Sequence, residues 1–114
     1  MIVDVLIDYL NNSDLEAPVY AEIPKVGVSD EFYVLEQTGS PKENQIDRST
    51  IAIRSHAQSM ERAADLMYEL DNIMMNGLIE LDYVSGVRRN TIANFTDPTM
   101  KQYRYQGVYI VIHY

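Results

Sequence analysis

Three acidic side chains have a spacing that could support chemistry. Glu61, Asp65 and Glu69 recur every four residues, so a helix would place them on one face, where carboxylates can hold a cation or act as acid and base. The alternative is a solvated helix face. The apolar residues Met60 and Met67 of the same segment lie largely on another side, as in an ordinary amphipathic helix, so the pattern favours the solvated face.

Other catalytic or metal-binding patterns are missing from the sequence. The chain has no cysteine and two histidines, His56 and His113, which are too far apart in sequence to form a helical metal-ligand pair. Neither a Gly-x-Ser-x-Gly elbow nor a glycine-rich phosphate loop occurs. We therefore expect no enzyme activity, no metal and no cofactor, and polar contacts as the role of both histidines.

Basic residues cluster at one place in the sequence pattern. Arg88 and Arg89 lie across a presumed hairpin from Lys101 and Arg104, and such cations suit phosphate or carboxylate partners. The chain carries 17 acidic against 9 basic side chains and a formal charge of −8, which disfavours tight binding to nucleic acid. Acidic groups of a partner or neighbour are the expected contacts of these cations.

Tyrosines form the other unusual group. The chain has nine, of which Tyr103, Tyr105 and Tyr109 fall on one side of the last predicted strand. Tyrosine is common at protein interfaces, but a half-exposed sheet face uses it for the same reason. Both interpretations stay open.

The elements that must position these residues follow from apolar periodicity. With 114 residues, 46% hydrophobic and 23% charged, residues 1–114 are expected to form one globular domain. Asp4 and Asp8 interrupt the apolar start, which argues against a signal peptide, and no stretch is long enough to span a bilayer. The patterns predict helices at 2–11 and 58–76 and strands at 18–24, 31–37, 49–54, 83–95 and 103–114.

The segments between these elements carry their own signals. Gly77 is placed to end the second helix in a left-handed cap, and residues 97–99 supply a turn between the last two strands. Residues 38–47 are polar and predict a mobile assembly loop, with its candidate residues at Thr38, Gly39, Pro41, Lys42 and Glu43.

The predicted fold is α/β of the α+β type, a single domain with the order α-β-β-β-α-β-β. An N-terminal helix accompanies a mixed, mainly antiparallel sheet packed against one central helix. The last strand is apolar on both faces, through Val108 to Ile112. This indicates a central strand covered by a helix, or a strand completed by another subunit.

Four segments carry a resemblance to a known family. These are VYAEIP at residues 19–24, the segment 32–39 that ends in Thr38-Gly39, IAIRSHA at 51–57 running into the Ala63-Ala64 helix, and YQGVYIV at 105–111. In this order they resemble the tail-terminator, or tail-completion, proteins of long-tailed bacteriophages, particularly phages of low-GC Gram-positive hosts. The resemblance covers nearly the whole chain, and its motifs are structural.

The resemblance implies a structural protein of phage assembly at the junction of head and tail, assembled in the host cytoplasm. Such a protein forms a ring, commonly a hexamer, that caps the tail tube, ends polymerisation and offers a docking surface to the head. The implied partners are further copies of the chain, the tail-tube protein and the head–tail connector protein, and DNA passes through the opening.

Rival interpretations remain. A head-closure or adaptor protein also forms rings but caps the portal. An acidic DNA mimic that inhibits a nuclease would fit the charge of −8, although lysines and arginines interrupt the acids throughout. An enzyme with an unrecognised site is the third class. For a ring, the candidate interface residues are Glu61, Asp65, Glu69, Arg88, Arg89, Tyr103, Tyr105 and Tyr109, with the acids facing the opening or a neighbour's Arg88 and Arg89.

Overall fold

Two helices pack on one face of a mixed sheet in the computed structural model, which describes residues 2–22, 31–39, 42–43, 46–82, 84–94, 96 and 103–113. The helices are α1 (Ile2–Asn11) and α2 (Met60–Asn76), and a single 3₁₀ turn follows at Leu78–Glu80. The strands are β1 (Val19–Tyr20), β2 (Phe32–Gly39), β3 (Lys42–Glu43), β4 (Ile46–Ala57), β5 (Val84–Asn94) and β6 (Tyr103–His113). The predicted α+β class of a single small domain is confirmed, and the order of elements roughly matches.

The sheet has the strand order β1-β2-β4-β6-β5, with β3 paired to β4. Strands β1 and β2 are parallel and the other pairs are antiparallel. Strand β6 lies between β4 and β5, which confirms that the doubly apolar last strand is an interior strand. The register of β5 shifts twice, between Val84 and Gly86 and between Arg89 and Thr91, so Ser85 and Asn90 are bulged residues.

Side-chain alternation divides the sheet into two faces. Ile51 and Ile53 of β4 and Tyr109 and Val111 of β6 are buried in the cluster that includes both helices. Because side chains alternate along a strand, Val108 and its even-numbered neighbours on β6 project from the other side. We call this second side the helix-distal face. It carries Phe32, Val34, Glu36, Arg48, Thr50, Ala52, Arg54, His56, Gly86, Arg88, Thr91, Ala93, Arg104, Gln106, Val108, Ile110 and Ile112.

Both helices form because their apolar residues recur at helical spacing. Helix α1 buries Ile2, Leu6 and Leu10, and α2 buries Ala63, Leu66, Met67, Leu70 and Met74. The Ser59 side chain caps α2 by accepting a hydrogen bond from the Arg62 backbone N–H at 3.1 Å, which satisfies one of the first-turn donors. The predicted central helix is therefore confirmed.

Gly77 ends α2 for a reason other than the predicted one. Its φ of −106° and ψ of −39° are right-handed, so the expected left-handed cap was wrong. A side chain at this position would bring Cβ to 2.8 Å from the Tyr9 hydroxyl and 3.0 Å from the Ile73 carbonyl oxygen. Glycine is needed here because α1 approaches the end of α2 closely.

The predicted structureless stretch at 38–47 is also corrected where the structure describes it. Thr38 and Gly39 belong to β2, and Lys42 and Glu43 pair antiparallel with the start of β4. Backbone N–H and C=O groups form these ladders whatever the side chains are, so polar composition did not exclude strands. Pro41 lies outside the described residues, and order on assembly stays a prediction.

Strand lengths differ from the prediction elsewhere. At 18–24, Val19–Tyr20 is the strand that forms, and Ala21 and Glu22 follow it as exposed residues. Strand β4 extends beyond the predicted 49–54 at both ends. Strands β5 and β6 pair as the predicted hairpin, whose turn at 97–99 lies outside the described residues.

Candidate functional site

The predicted acidic row on α2 divides into two parts. Glu61 and Asp65 are exposed, whereas Glu69 is half-buried and its Oε1 accepts a hydrogen bond from the Glu16 backbone N–H at 2.9 Å. Glu69 therefore holds the segment after α1, and its place among the interface acids stays a prediction. Among the described residues, no group of three or more histidine, cysteine, aspartate or glutamate side chains could hold a metal ion.

Tyr68 completes the outward face of α2, and the sequence analysis did not identify it as a candidate. It is 58% exposed, the most exposed of the large hydrophobic residues that the structure describes. At about 100° per residue, it falls in line with Glu61 and Asp65, opposite the buried Leu70. The signal was present in the sequence, since Tyr68 follows Asp65 by three residues. We call Glu61, Asp65 and Tyr68 the helix stripe.

Arg89 is paired within its own chain. Its guanidinium lies 2.6 Å from Oδ2 of Asp71 on α2, and Oδ1 of the same carboxylate accepts a hydrogen bond of 2.8 Å from the Tyr109 hydroxyl. Burial, and then the hydrogen bond to Asp71, raise the pKa of Tyr109 well above its ordinary range. Arg89 and Tyr109 thus anchor α2 to the sheet, and their assignment to an intersubunit interface stays a prediction.

The predicted basic group does not form among the described residues. Arg88 and Arg89 project from opposite faces of β5. Arg88 pairs in register with Ile110, six positions along β6 from Arg104, which is about 20 Å. Lys101 lies outside the described residues.

The tyrosines of β6 do share one face, but it is the helix side. Tyr109 is fully buried, Tyr105 is partly buried against the core cluster, and Tyr103 is 39% exposed. Exposure increases toward the start of the strand, beyond the helices. Of the three, Tyr103 has the most surface available for a partner.

Both histidines are buried and contact other side chains of the fold. His113 Nε2 lies 2.8 Å from the Ser49 hydroxyl, which also accepts a hydrogen bond from the Gln37 amide at 3.2 Å. A serine beside a histidine can be a nucleophile, but Ser49 is fully buried in the described structure. His56 stacks on Phe32 with ring centroids 4.5 Å apart.

An arginine clamp at the start of α2 was not anticipated from the sequence. Arg62 binds Glu31 through Nε–Oε2 at 2.6 Å and Nη2–Oε1 at 3.1 Å, and it also pairs with Glu16. The hydrogen bonds with Glu31 and Glu16 raise the pKa of Arg62 above its ordinary value. The clamp ties α2 to the segments on both sides of β1.

A polar cleft lies between the end of α1 and α2. Its volume is about 490 Å³, and its walls are Tyr9, Asn12, Ser13, Asp14, Glu69, Asn72, Ile73, Asn76 and Gly77. Amide groups and two carboxylates dominate the walls. This composition can accept or donate hydrogen bonds, and none of the lining groups forms a nucleophile–base pair in the described structure.

The helix-distal face carries the other candidate surface. Ile110 and Ile112 are half-buried on β6; Arg48 of β4 lies beside Ile112, and Arg88 of β5 lies beside Ile110. Both arginines are exposed. With Val108, the next residue in the row, these side chains form an apolar centre flanked by two cations. We call Val108, Ile110, Ile112, Arg48 and Arg88 the sheet patch.

No model of a protein family fits this chain, and none of the curated proteins compared with it matches its sequence. The resemblance to tail terminators therefore stands on the four segments and on their order. In the described ranges, no helix is long and apolar enough to cross a membrane.

Proposed function

We propose that this chain is a structural protein of phage assembly that caps the tail tube as a ring, ends tail polymerisation and gives the head a docking surface. The observation that carries the proposal is the sheet patch. Three aliphatic residues lie in a row on an interior strand, on the face opposite the helices, and their partial burial leaves apolar area for a partner. A protein that works by assembly needs such an area.

The chemistry of the described residues is consistent with assembly rather than turnover. The Ser49–His113 pair is buried, Asp71 is occupied by Arg89 and Tyr109, and the carboxylates of the helix stripe face outward. General acid–base catalysis needs a positioned group within reach of a bound substrate. The exposed groups instead form complementary charged and apolar surfaces, which suit a protein partner.

Tail tubes of the encoding phage provide the direct test. The purified chain, mixed with assembled tubes and imaged by electron microscopy, should bind as a ring at one end. Added during polymerisation, it should shorten the tubes. Binding to portal rings but not to tubes would favour the head-closure alternative. If the chain instead competes with DNA for a DNA-binding enzyme, the result would favour the alternative of an acidic DNA mimic.

A pair of variants connects the test to the sheet patch. Ile110→Asp places a charge in the apolar row and should abolish tube binding while the chain stays folded. Ile79→Asp makes the same chemical change at an apolar residue that is 46% exposed in the 3₁₀ turn, and it should bind tubes normally. If the wild-type chain ignores tubes at every concentration, the proposed function is wrong.

A further inference from the structure

We propose that two copies of the chain join head to tail, with the helix stripe of one copy against the sheet patch of the next. This inference rests on the proposed function and identifies the surfaces through which the ring would form. A cyclic ring of identical subunits needs two different complementary surfaces on each subunit. The helix stripe and the sheet patch lie on opposite sides of the fold, so one copy can use both surfaces at once.

Charge complementarity is the first argument for this pairing. The helix-distal face carries four arginines, Arg48, Arg54, Arg88 and Arg104, against two acids at strand positions, Glu36 and Glu43, the latter in register with Ile46. Glu36 already pairs with Arg54 at 3.3 Å. On a chain with a net charge of −8, a cationic face is unexpected unless it meets an acidic surface.

The helix stripe is the matching acidic surface. Glu61 and Asp65 are exposed one turn apart, and Tyr68 presents its ring beside them. Like charges four residues apart destabilise a helix slightly, and cations of a second copy would relieve that repulsion. The tyrosine ring can cover the aliphatic row of the sheet patch while its hydroxyl stays at the rim.

The dimensions of the two surfaces agree. Glu61 and Tyr68 are seven residues apart on α2, which corresponds to about 10 Å along the helix axis. Arg48 and Arg88 are two strands and two residues apart, which corresponds to about 12 Å across the sheet. The two acids, Glu61 and Asp65, span about 6 Å of that length. In a helix laid across β4, β6 and β5, the long flexible arginine side chains would close the remaining distance to the two carboxylates.

Arg89 and Glu69 do not take part. Arg89 is bound to Asp71, and Glu69 accepts the Glu16 N–H, so each has a partner inside its own chain. The expected acid–arginine contact between subunits thus becomes Glu61 and Asp65 against Arg48 and Arg88.

Charge reversal on the full chain tests the pairing. The sheet variant is Arg48→Glu with Arg88→Glu, and the helix variant is Glu61→Lys with Asp65→Lys. Sedimentation over a concentration series should show the wild-type chain forming a discrete oligomer. Each variant alone should raise the dissociation constant by about a hundredfold, because like charges then face each other. Added salt should weaken the wild-type oligomer, since exposed pairs are screened.

Mixing the two variants separates the pairing from a folding defect. A 1:1 mixture should associate again, because native surfaces meet native ones and reversed surfaces meet reversed ones. Asp4→Lys with Asp8→Lys is the matched control: these acids are also exposed and four residues apart, but on α1. That variant has the same change of charge and should associate like the wild type.

Three results would overturn the inference: a wild-type chain that stays monomeric, association that neither reversal weakens, or a mixture that stays monomeric. If wild-type chain binds tube ends in any of these cases, the surfaces are wrong and the proposed function stands. If it neither associates nor binds tubes, both fail. Binding of duplex DNA through Arg48 and Arg88, with association unaffected by their reversal, would also overturn the inference.

Discussion

Raising the pH is expected to destabilise this chain through two tyrosines that its core holds un-ionised. Tyr33 and Tyr109 are fully buried; the Tyr33 hydroxyl donates to the Leu66 carbonyl at 2.7 Å, and the Tyr109 hydroxyl donates to Asp71. Burial is the main cause that raises the pKa of both well above the ordinary value. The folded chain therefore keeps two protons that the unfolded chain releases in alkali.

The sign and size of the effect follow from linkage. A group whose pKa is raised by folding contributes its full stability below the unfolded pKa, which for tyrosine is about 10, and loses it as the pH rises above that value. At about pH 11 the unfolded state gains about 1.4 kcal/mol per tyrosine, or about 3 kcal/mol for the pair. This is a large share of the roughly 5–15 kcal/mol that stabilises a typical domain.

Urea unfolding followed by circular dichroism between about pH 8 and pH 11 measures this loss. A double variant with Tyr33→Phe and Tyr109→Phe should be less stable at about pH 8 by about 2.5–4 kcal/mol, because two buried hydrogen bonds are gone, one of them to a carboxylate. Its free energy of unfolding should then stay nearly constant in alkali. Tyr68→Phe, at an exposed ring, should keep the wild-type pH dependence. An equal alkaline loss in the wild type and the double variant would refute the reasoning.

Other contacts give further expectations. Gly77→Ala should lower the free energy of unfolding by about 1–3 kcal/mol through overpacking, and adding Tyr9→Phe should restore part of it in the same urea assay. Ser59→Ala should lower the free energy of unfolding by about 1 kcal/mol through loss of the α2 cap. An unchanged free energy of unfolding would show that the cap does not stabilise the fold. Arg62→Met should cost about 1 kcal/mol, since its partners are partly exposed, and should flatten the salt dependence of stability. For residues 38–47, hydrogen exchange should slow on assembly, and equally slow exchange in the free chain would contradict the prediction.

The regular elements of this fold could be predicted because their signals are periodic. Ile2, Leu6 and Leu10 fall at helical spacing and mark α1 at the residues where the structure has it. Apolar residues at both odd and even positions of β6 likewise indicated a strand that is apolar on both faces. The prediction of a loop at 38–47 failed because the pairing of these residues depends on neighbouring strands rather than on their own side chains. The prediction of a left-handed cap at Gly77 failed because the steric constraint on this residue comes from Tyr9, which is far away in sequence.

The candidate site was predictable in part for the same reason. Periodicity identified Glu61 and Asp65 as outward-facing, and it could have identified Tyr68. Alternation could also have shown that Arg88 and Arg89 point to opposite faces. The Arg89–Asp71 contact could not be predicted, because it depends on how β5 lies against β6 and α2.

The two bulges of β5 bear on fibril formation. In the described part of the chain β5 pairs with β6 alone, so its outer edge presents backbone donors and acceptors of the kind that recruit foreign strands. Ser85 and Asn90 interrupt that edge with extra residues, and each bulge twists the strand and shifts its hydrogen-bonding groups out of step. A straight strand from another molecule can match only one short stretch at a time, either 86–89 or 91–94. The edge therefore resists amyloid-like stacking even when many copies are held close together.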